Sequence, residues 1–201
     1  MMSDIPYTSW EPLTVAQAVH LFRDAPFEWG LAGGYAVEQF VGKPIRPHSD
    51  IDVIVFRDQQ QLVQHWLKDW HLYAADPPGT LRPWLTNEYL PYGIHDIWGY
   101  QTDTRAWQLQ IMLAEVEDGE WFSRRSQLIR GQRNDLLVMY HEIPCVRIDV
   151  QLMYKAHHLL SKDESDFQAS LPLLRPQAKR WLKAQLRLLY PEGHPWLTRL
   201  E

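Results

Sequence analysis

The chain has 201 residues, 45% of them hydrophobic, which is enough to form the core of one main domain. Its 20 basic and 25 acidic residues give a net charge of −5 without any basic block, so broad nucleic-acid binding is not expected. No apolar run approaches the roughly 20 residues that cross a bilayer, so no membrane association is predicted.

Cys145 is the single cysteine of the chain, so no intramolecular disulfide can form and the cytoplasm is the predicted compartment. It stands close to Ile143 and Val146, which predicts a small buried residue rather than a catalytic thiol. Residues 1–11 lack the basic flank and apolar run of a signal peptide.

Hydrophobic periodicity and turn residues predict alternating helices and strands over the first part of the chain. A capping-box pattern at Thr14 predicts a helix that ends before Pro26. The further predicted elements, in chain order, are a strand over 29–32, a helix over 35–41, a strand over 50–56, a helix over 58–68, a strand over 70–74, and a hairpin of 95–100 and 105–113.

The remaining residues predict a long connection, one more strand and a helical C-terminus. Residues 76–93 are rich in Pro and Gly and are predicted to form a long surface connection. The other predicted features are a strand from Trp121, a polar stretch over 124–133, a connection over 144–150, and helices over 150–160, 163–171 and 176–190. This order predicts an α+β fold with a small mixed sheet flanked by helices.

Two aspartates stand at the start of the predicted strand over 50–56. Because side chains alternate along a strand, Asp50 and Asp52 point to the same face. Two carboxylates so close together repel each other unless a divalent cation or a shared proton lies between them. They are therefore candidate metal ligands.

A glycine pair, Gly33-Gly34, precedes the predicted helix over 35–41. Backbone N–H groups at a helix start suit phosphate, although a glycine pair alone is usually only a turn. Together with Asp50 and Asp52, the pair predicts a metal–triphosphate site.

These motifs resemble the signature of the nucleotidyltransferase superfamily, which has the polymerase-beta-like fold. Residues 29–38 and then 46–53, with His48-Ser49-Asp50-Ile51-Asp52, look like its aminoglycoside and lincosamide adenylyltransferase branch. The similarity continues in 118–125, 152–156 and 162–167, and so covers most of the chain from Trp29 to Trp196. It implies a nucleotidyltransferase core over 1–143 and a C-terminal helical extension over 144–201 packed on that core.

The resemblance implies a Mg²⁺-dependent transfer of a nucleoside monophosphate, AMP from ATP, to a hydroxyl of a small acceptor similar to an aminoglycoside or lincosamide. Asp50 and Asp52 match the metal-binding pair, which holds one or two Mg²⁺ ions. Gly33 and Gly34 match the turn that contacts the phosphates of the nucleoside triphosphate. The sequence makes no prediction of the oligomeric state.

Four further residues are candidates for nucleotide binding, namely Arg46, His48, Ser49 and Lys155. Each has a simpler alternative. Arg46 could be a solvated loop residue, and His48 could serve local hydrogen bonding. Ser49 could cap the strand, and Lys155 could form an ion pair with an acidic residue.

The family also places a third carboxylate on a neighbouring strand, as a metal ligand or proton acceptor. In this chain the matching position is Gln110, which cannot accept a proton as a general base. Glu115 could replace it if the strand is bulged. The alternative interpretation is therefore a nucleotide-binding or interaction protein with reduced or lost catalysis, or a nucleotidyltransferase that modifies proteins.

Overall fold

The computed structural model describes residues 9–201, which form a mixed β-sheet with helices packed against both faces. The ten strands in this range are β1 (Trp29–Leu31), β2 (Asp52–Phe56), β3 (Trp70–Ala75), β4 (Leu81–Pro83), β5 (Asp96–Gln101), β6 (Leu109–Glu117), β7 (Glu120–Ser123), β8 (Ser126–Gln132), β9 (Leu137–Tyr140) and β10 (Ile143–Val146).

Six α-helices and four short 3₁₀ helices connect or flank these strands in the described range. The α-helices are α1 (Val15–Phe22), α2 (Gly33–Val41), α3 (Gln60–Trp66), α4 (Ile148–Lys155), α5 (Ser161–Ser170) and α6 (Pro176–Leu189). The 3₁₀ helices are Arg57–Gln59, Arg133–Asp135, Leu171–Leu173 and Leu197–Arg199.

Strand order makes β2 a central strand. The sheet runs β4-β3-β5-β6-β2-β1-β10-β9, and β7 pairs with both β6 and β8. The pairs β2–β6 and β1–β10 are parallel, whereas the other pairs are antiparallel. In the parallel β2–β6 pair, Asp52 is the register partner of Gln110.

The turn chemistry read from the sequence appears at the ends of the first two helices. Thr14 Oγ1 accepts a hydrogen bond from the Gln17 N–H at 3.2 Å, and Gln17 Oε1 accepts one from the Thr14 N–H at 2.8 Å. Gly42 ends α2 with a φ of 79°, a left-handed conformation that favours glycine. Both helix boundaries therefore follow from local sequence.

Each face of the central strand packs into a different apolar cluster. Val53 and Val55 belong to the cluster with α1 and α3, whereas Ile54 and Phe56 belong to the cluster with α4, α5 and α6. Because side chains alternate along the strand, Asp52 lies on the same face as Ile54 and Phe56. The sequence of β2 thus places the Asp52 carboxylate between the sheet and the C-terminal helices.

The predicted α+β fold with a mixed sheet is confirmed, but the sheet is larger than the small sheet expected. Strands β4, β8 and most of β10 lie where connections or a polar stretch were predicted, and β9 lies in residues 134–143, for which no element was predicted. In β8 only Ile129 is buried, so the strand lacks the alternation that would reveal it. The predicted domain boundary after residue 143 falls inside β10, which pairs with β1 and β9.

Cys145 is fully buried, as predicted, and burial raises the pKa of its thiol to about 12. None of the helices in residues 9–201 combines the length and the apolar composition needed to cross a bilayer. The prediction that no signal peptide is present falls largely on residues 1–8, outside the described residues.

Candidate active site

Asp52 begins β2 and faces a cavity of about 310 Å³ that lies between the sheet and α4. The backbone around it is held from both sides. The Ala32 N–H donates to the Asp52 carbonyl at 2.9 Å, and the Gln110 N–H donates to the Ile51 carbonyl at 3.0 Å. The carboxylate is therefore carried by a fixed strand rather than by a loop.

The Asp52 carboxylate lacks a hydrogen bond or an ion pair within the described part of the chain. Burial, and then the charge of Asp50, raise its pKa from 3.8 to about 7, while Lys155 acts in the opposite direction. A half-buried carboxylate without a partner is unfavourable, and a cation relieves that cost.

The donor set fits a magnesium ion shared with a nucleotide. Residues 9–201 contain no group of three or more Asp, Glu, His or Cys side chains placed to hold a metal. Mg²⁺ is commonly held by one or two carboxylates and completes its octahedral shell with water and substrate phosphates. Asp50 and Asp52 could supply that pair of carboxylates.

Gly33 lies directly against the Asp52 carboxylate. Its φ is +61°, and a Cβ at this position would overlap with Asp52 Oδ2. Its N–H donates to Gln151 Oε1 at 2.9 Å, so this amide already has a partner. Gly33 is therefore needed for both its backbone conformation and its lack of a side chain.

Gly34 makes room for two loop side chains. A Cβ there would overlap with the His48 ring and lie 2.5 Å from Arg46 Nη2. His48 packs on the Tyr35 ring at 4.1 Å between centroids, and its Nε2 lies 2.9 Å from Glu38 Oε1. Gly33 lines the cavity that contains Asp52, whereas Arg46 and His48 line a separate pocket together with Ser49.

The candidate nucleotide-binding residues have protein partners of their own. Arg46 donates from Nε and Nη2 to the two oxygens of Asp166, each at 3.0 Å. Lys155 Nζ lies 2.7 Å from Asp166 Oδ2 and 3.4 Å from Asp163 Oδ1. The Lys155 contacts match its simpler alternative, an ion pair with acidic residues, whereas Arg46 is held by a buried carboxylate and is not a solvated loop residue. Ser49 is exposed.

Gln110 lies beside Asp52 in the sheet, as the predicted register requires. It also contacts a third carboxylate, that of Asp96, which was not predicted from the sequence. Its Nε2 donates to Asp96 Oδ1 at 3.2 Å. Asp96 begins β5, two residues before Trp98, which is the register partner of Gln110. Its charge also contributes to the raised pKa of Asp52. The sequence indicates this contact only through the position of Asp96 two residues before Trp98, and that position is informative only when the β5–β6 register is known.

Residues 14–169 match the model of the aminoglycoside-2''-adenylyltransferase family. The chain belongs to this family. The match contains the glycine pair, both aspartates, Gln110 and Asp96. The suspected relationship to the aminoglycoside and lincosamide adenylyltransferase branch is thereby confirmed.

Solved structures share the fold of this family member at low sequence identity. The lincosamide antibiotic adenylyltransferase LnuA, bound to lincomycin, is 20% identical with a TM-score of 0.54, covering 79% of this chain and 97% of LnuA. The solution structure of the antibiotic-resistance factor ANT(2'')-Ia is 13% identical with a TM-score of 0.57, covering 89% of this chain and 91% of its own.

A second structure of ANT(2'')-Ia, in complex with adenylyl-2''-tobramycin, is 14% identical with a TM-score of 0.52 and covers 85% of this chain and 94% of its own. A search of curated protein sequences found no match. At such identities the structural similarity establishes the fold alone.

Glu115 has a different environment from that of Asp52. It borders the same cavity, but it continues the Ile111 and Leu113 face of β6, opposite Gln110. Arg57 donates to both of its oxygens, from Nε at 2.6 Å and from Nη2 at 2.5 Å. Although burial opposes it, hydrogen bonds from His95 and Arg57 hold its pKa below the usual range. This arrangement favours a structural role over the expected catalytic one.

Arg124 and Arg125, which lie in the predicted polar stretch over 124–133, also reach the cavity. They form the two-residue turn between β7 and β8, where Ser123 pairs with Ser126. Arg124 Nη1 lies 3.5 Å from Asp96 Oδ2. The hairpin therefore brings two guanidinium groups to the cavity that contains Asp52.

Proposed function

We propose that this protein is a Mg²⁺-dependent nucleotidyltransferase that moves AMP from ATP onto a hydroxyl group of a small acceptor similar to an aminoglycoside or lincosamide. The observation that carries this proposal is the unpartnered Asp52 carboxylate, next to Asp50 and against Gly33, at the wall of a cavity. Family membership supplies the adenylyl transfer, since the family is defined by that activity.

Asp50 and Asp52 would hold one or two Mg²⁺ ions, which supply positive charge to the phosphate oxygens of the nucleotide. Gly33 keeps space open at the Asp52 carboxylate, where a side chain would overlap. Lys155 places a positive charge at the cavity wall while Asp166 holds it in position. The role of these residues is to orient the reacting groups in line and to match developing charge.

In the proposed reaction, the acceptor hydroxyl oxygen forms a bond to the α-phosphorus. The bond from that phosphorus to the bridging oxygen of the β-phosphate breaks, and pyrophosphate leaves with the electron pair. The hydroxyl proton passes to Asp96. Gln110 cannot take that proton, but its amide hydrogen bond holds the Asp96 carboxylate on the face that carries Asp52.

The test measures transfer of label from α-labelled ATP to a panel of aminoglycosides and lincosamides in the presence of Mg²⁺. The variant Asp50→Ala plus Asp52→Ala should lose the transfer, and Asp96→Asn should lower it by about 10²–10⁴-fold. The matched control is Asp69→Ala plus Glu192→Ala, which removes two exposed acids elsewhere. Equal transfer by the wild type and the Asp50/Asp52 variant would contradict the proposal.

Gln110 favours a second candidate function, a nucleotide-binding protein of the same fold without turnover. Under this alternative, calorimetry detects ATP binding, and neither acceptors nor water give pyrophosphate. Robust pyrophosphate release that disappears in the Asp50/Asp52 variant would exclude it.

The acceptor class is taken from relatives, one bound to lincomycin and one in complex with adenylyl-2''-tobramycin. We place the reaction in the cytoplasm, because the chain has a single cysteine that is buried and cannot form an intramolecular disulfide.

A further inference from the structure

Arg125 is fixed in an unusual position between the β7–β8 turn and helix α4. Its N–H donates to Ser123 Oγ at 3.2 Å, and its Nη2 donates to the Tyr154 carbonyl in the last turn of α4 at 3.1 Å. Its guanidinium carbon also lies 5.8 Å from the centre of the Tyr154 ring. These contacts orient the side chain without neutralising its charge.

The charge of Arg125 has no counterpart in the protein. In the described residues it forms no ion pair with a carboxylate, and its buried Nε atom has no hydrogen-bond partner. Burial lowers its pKa, and the other groups that act on it are Tyr190, Arg124 and Tyr154, none of which is a carboxylate. A half-buried guanidinium with an unused donor is costly unless an anion binds it.

The other charges of the cavity leave this imbalance in place. Lys155 is matched by Asp163 and Asp166, and Glu115 is matched by Arg57. Lys162, which is exposed and also lines the cavity, forms no ion pair within residues 9–201. Arg124 has a carboxylate partner in Asp96 at 3.5 Å, so in the described residues Arg125 is the guanidinium of the β7–β8 turn that lacks a counterion.

We propose that Arg125, with Arg124 beside it, forms an anion subsite of this cavity that takes the pyrophosphate portion of the nucleoside triphosphate. This inference rests on the proposed function, because Asp52 places the α-phosphate in the same cavity. Arginine suits the task, since its planar guanidinium binds phosphate oxygens through two parallel hydrogen bonds. The subsite holds the leaving group as its negative charge develops.

The first experiment measures binding of pyrophosphate by calorimetry, with EDTA present so that no metal contributes. The wild type should bind, and Arg125→Gln should weaken binding by about tenfold or more. Arg187→Gln, which removes an exposed arginine on α6, is the matched control and should change affinity by less than about twofold. Absence of binding by the wild type, or equal affinity in Arg125→Gln, overturns the subsite.

Folding is checked by circular dichroism. If Arg125→Gln does not fold, Arg125→Lys is measured in its place. Lysine keeps the charge but lacks the Nε donor and the planar guanidinium, so this variant should bind pyrophosphate several-fold more weakly than the wild type. Unchanged affinity in Arg125→Lys then overturns the subsite.

A competition experiment identifies the source of the phosphate. A non-hydrolysable ATP analogue should displace pyrophosphate, because both occupy the same subsite. Binding of both ligands together would instead assign the subsite to a phosphorylated acceptor and overturn the proposal.

The two proposals fail separately. The Asp50→Ala plus Asp52→Ala variant should still bind metal-free pyrophosphate while it no longer transfers label. If label transfer depends on these aspartates but pyrophosphate affinity does not depend on Arg125, the proposed function stands and the subsite is wrong.

Discussion

Asp52 and Glu115 are carboxylates near the two ends of one strand pair, and their surroundings differ completely. Asp52 begins the β2–β6 pairing, and Glu115 follows its last registered residue on β6. Arg57 binds both oxygens of Glu115, and this pairing, with His95, lowers the Glu115 pKa against burial. Asp52 lacks such a partner anywhere in residues 9–201, and burial with Asp50 raises its pKa.

The difference separates a charge that stabilises the fold from a charge that is available to a ligand. Arg57 also donates to the carbonyls of Leu90, Pro91 and Ile94, and so attaches the long connection before β5 to the sheet. Around Asp52 the nearby cation, Lys155, is instead held by Asp163 and Asp166. Matched buried charges support structure, and the unmatched one marks the site.

The largest expected effect comes from removing the matched carboxylate. Glu115→Ala leaves the Arg57 guanidinium buried without its partner, and we expect a loss of about 3–5 kcal/mol in the free energy of unfolding. Urea unfolding followed by circular dichroism measures this loss.

The control for Glu115→Ala is Glu120→Ala on the adjacent strand β7. Its partner Arg130 forms an exposed ion pair at 3.1 Å, so the cost should stay within about 1 kcal/mol. Similar losses in the two variants would show that the Arg57–Glu115 pair is not a special support of the fold.

A second prediction tests how tightly the backbone is built around the unmatched carboxylate. Gly33→Ala forces a left-handed conformation on alanine, which costs about 1–2 kcal/mol, and places a Cβ on Asp52 Oδ2. Gly119→Ala is a matched control, because Gly119 has a φ of +80° and nothing within 4 Å of its added Cβ. Thermal unfolding should show the larger loss for Gly33→Ala. Equal losses would mean that Asp52 can move aside freely.

The sequence predicted the elements that carry local signals and missed what depends on pairing. The Thr14 capping box and the alternation along β2 each predict their own structure, because the responsible residues are neighbours in the chain. Two predicted bounds were wrong: α2 begins at Gly33 rather than after the glycine pair, and β2 begins at Asp52, so Asp50 lies before the strand. Asp96 could not be found in this way, since only the β5–β6 register brings it to Gln110. The partners of Asp166 and Glu115 are equally distant in sequence and were not predicted.

The smallest expected effect is a gain in the free energy of unfolding, in the variant Asp52→Asn. The pKa of Asp52 is raised in the folded state, so the folded protein binds this proton more tightly than the unfolded chain does. The corresponding stability is present below about pH 4 and is lost as the pH rises toward about 7. Asp52→Asn, which cannot ionise, should therefore match the wild type at pH 4 and exceed it at pH 8.

We expect that gain at pH 8 to be about 1 kcal/mol, less than the pKa shift alone implies, because the amide is still a buried polar group. In a protein of this size it raises the melting temperature by about 2–4 °C. Glu115→Gln provides the comparison with opposite sign. The lowered pKa of Glu115 stabilises the wild-type fold above the pKa of the unfolded chain, so this variant should lose stability at pH 8.

Added Mg²⁺ should raise the melting temperature of the wild type and leave that of Asp52→Asn nearly unchanged, because the ion would bind the carboxylate that this variant lacks. A melting temperature that falls in Asp52→Asn at pH 8 without metal would mean that Asp52, like Glu115, supports the fold rather than a ligand site.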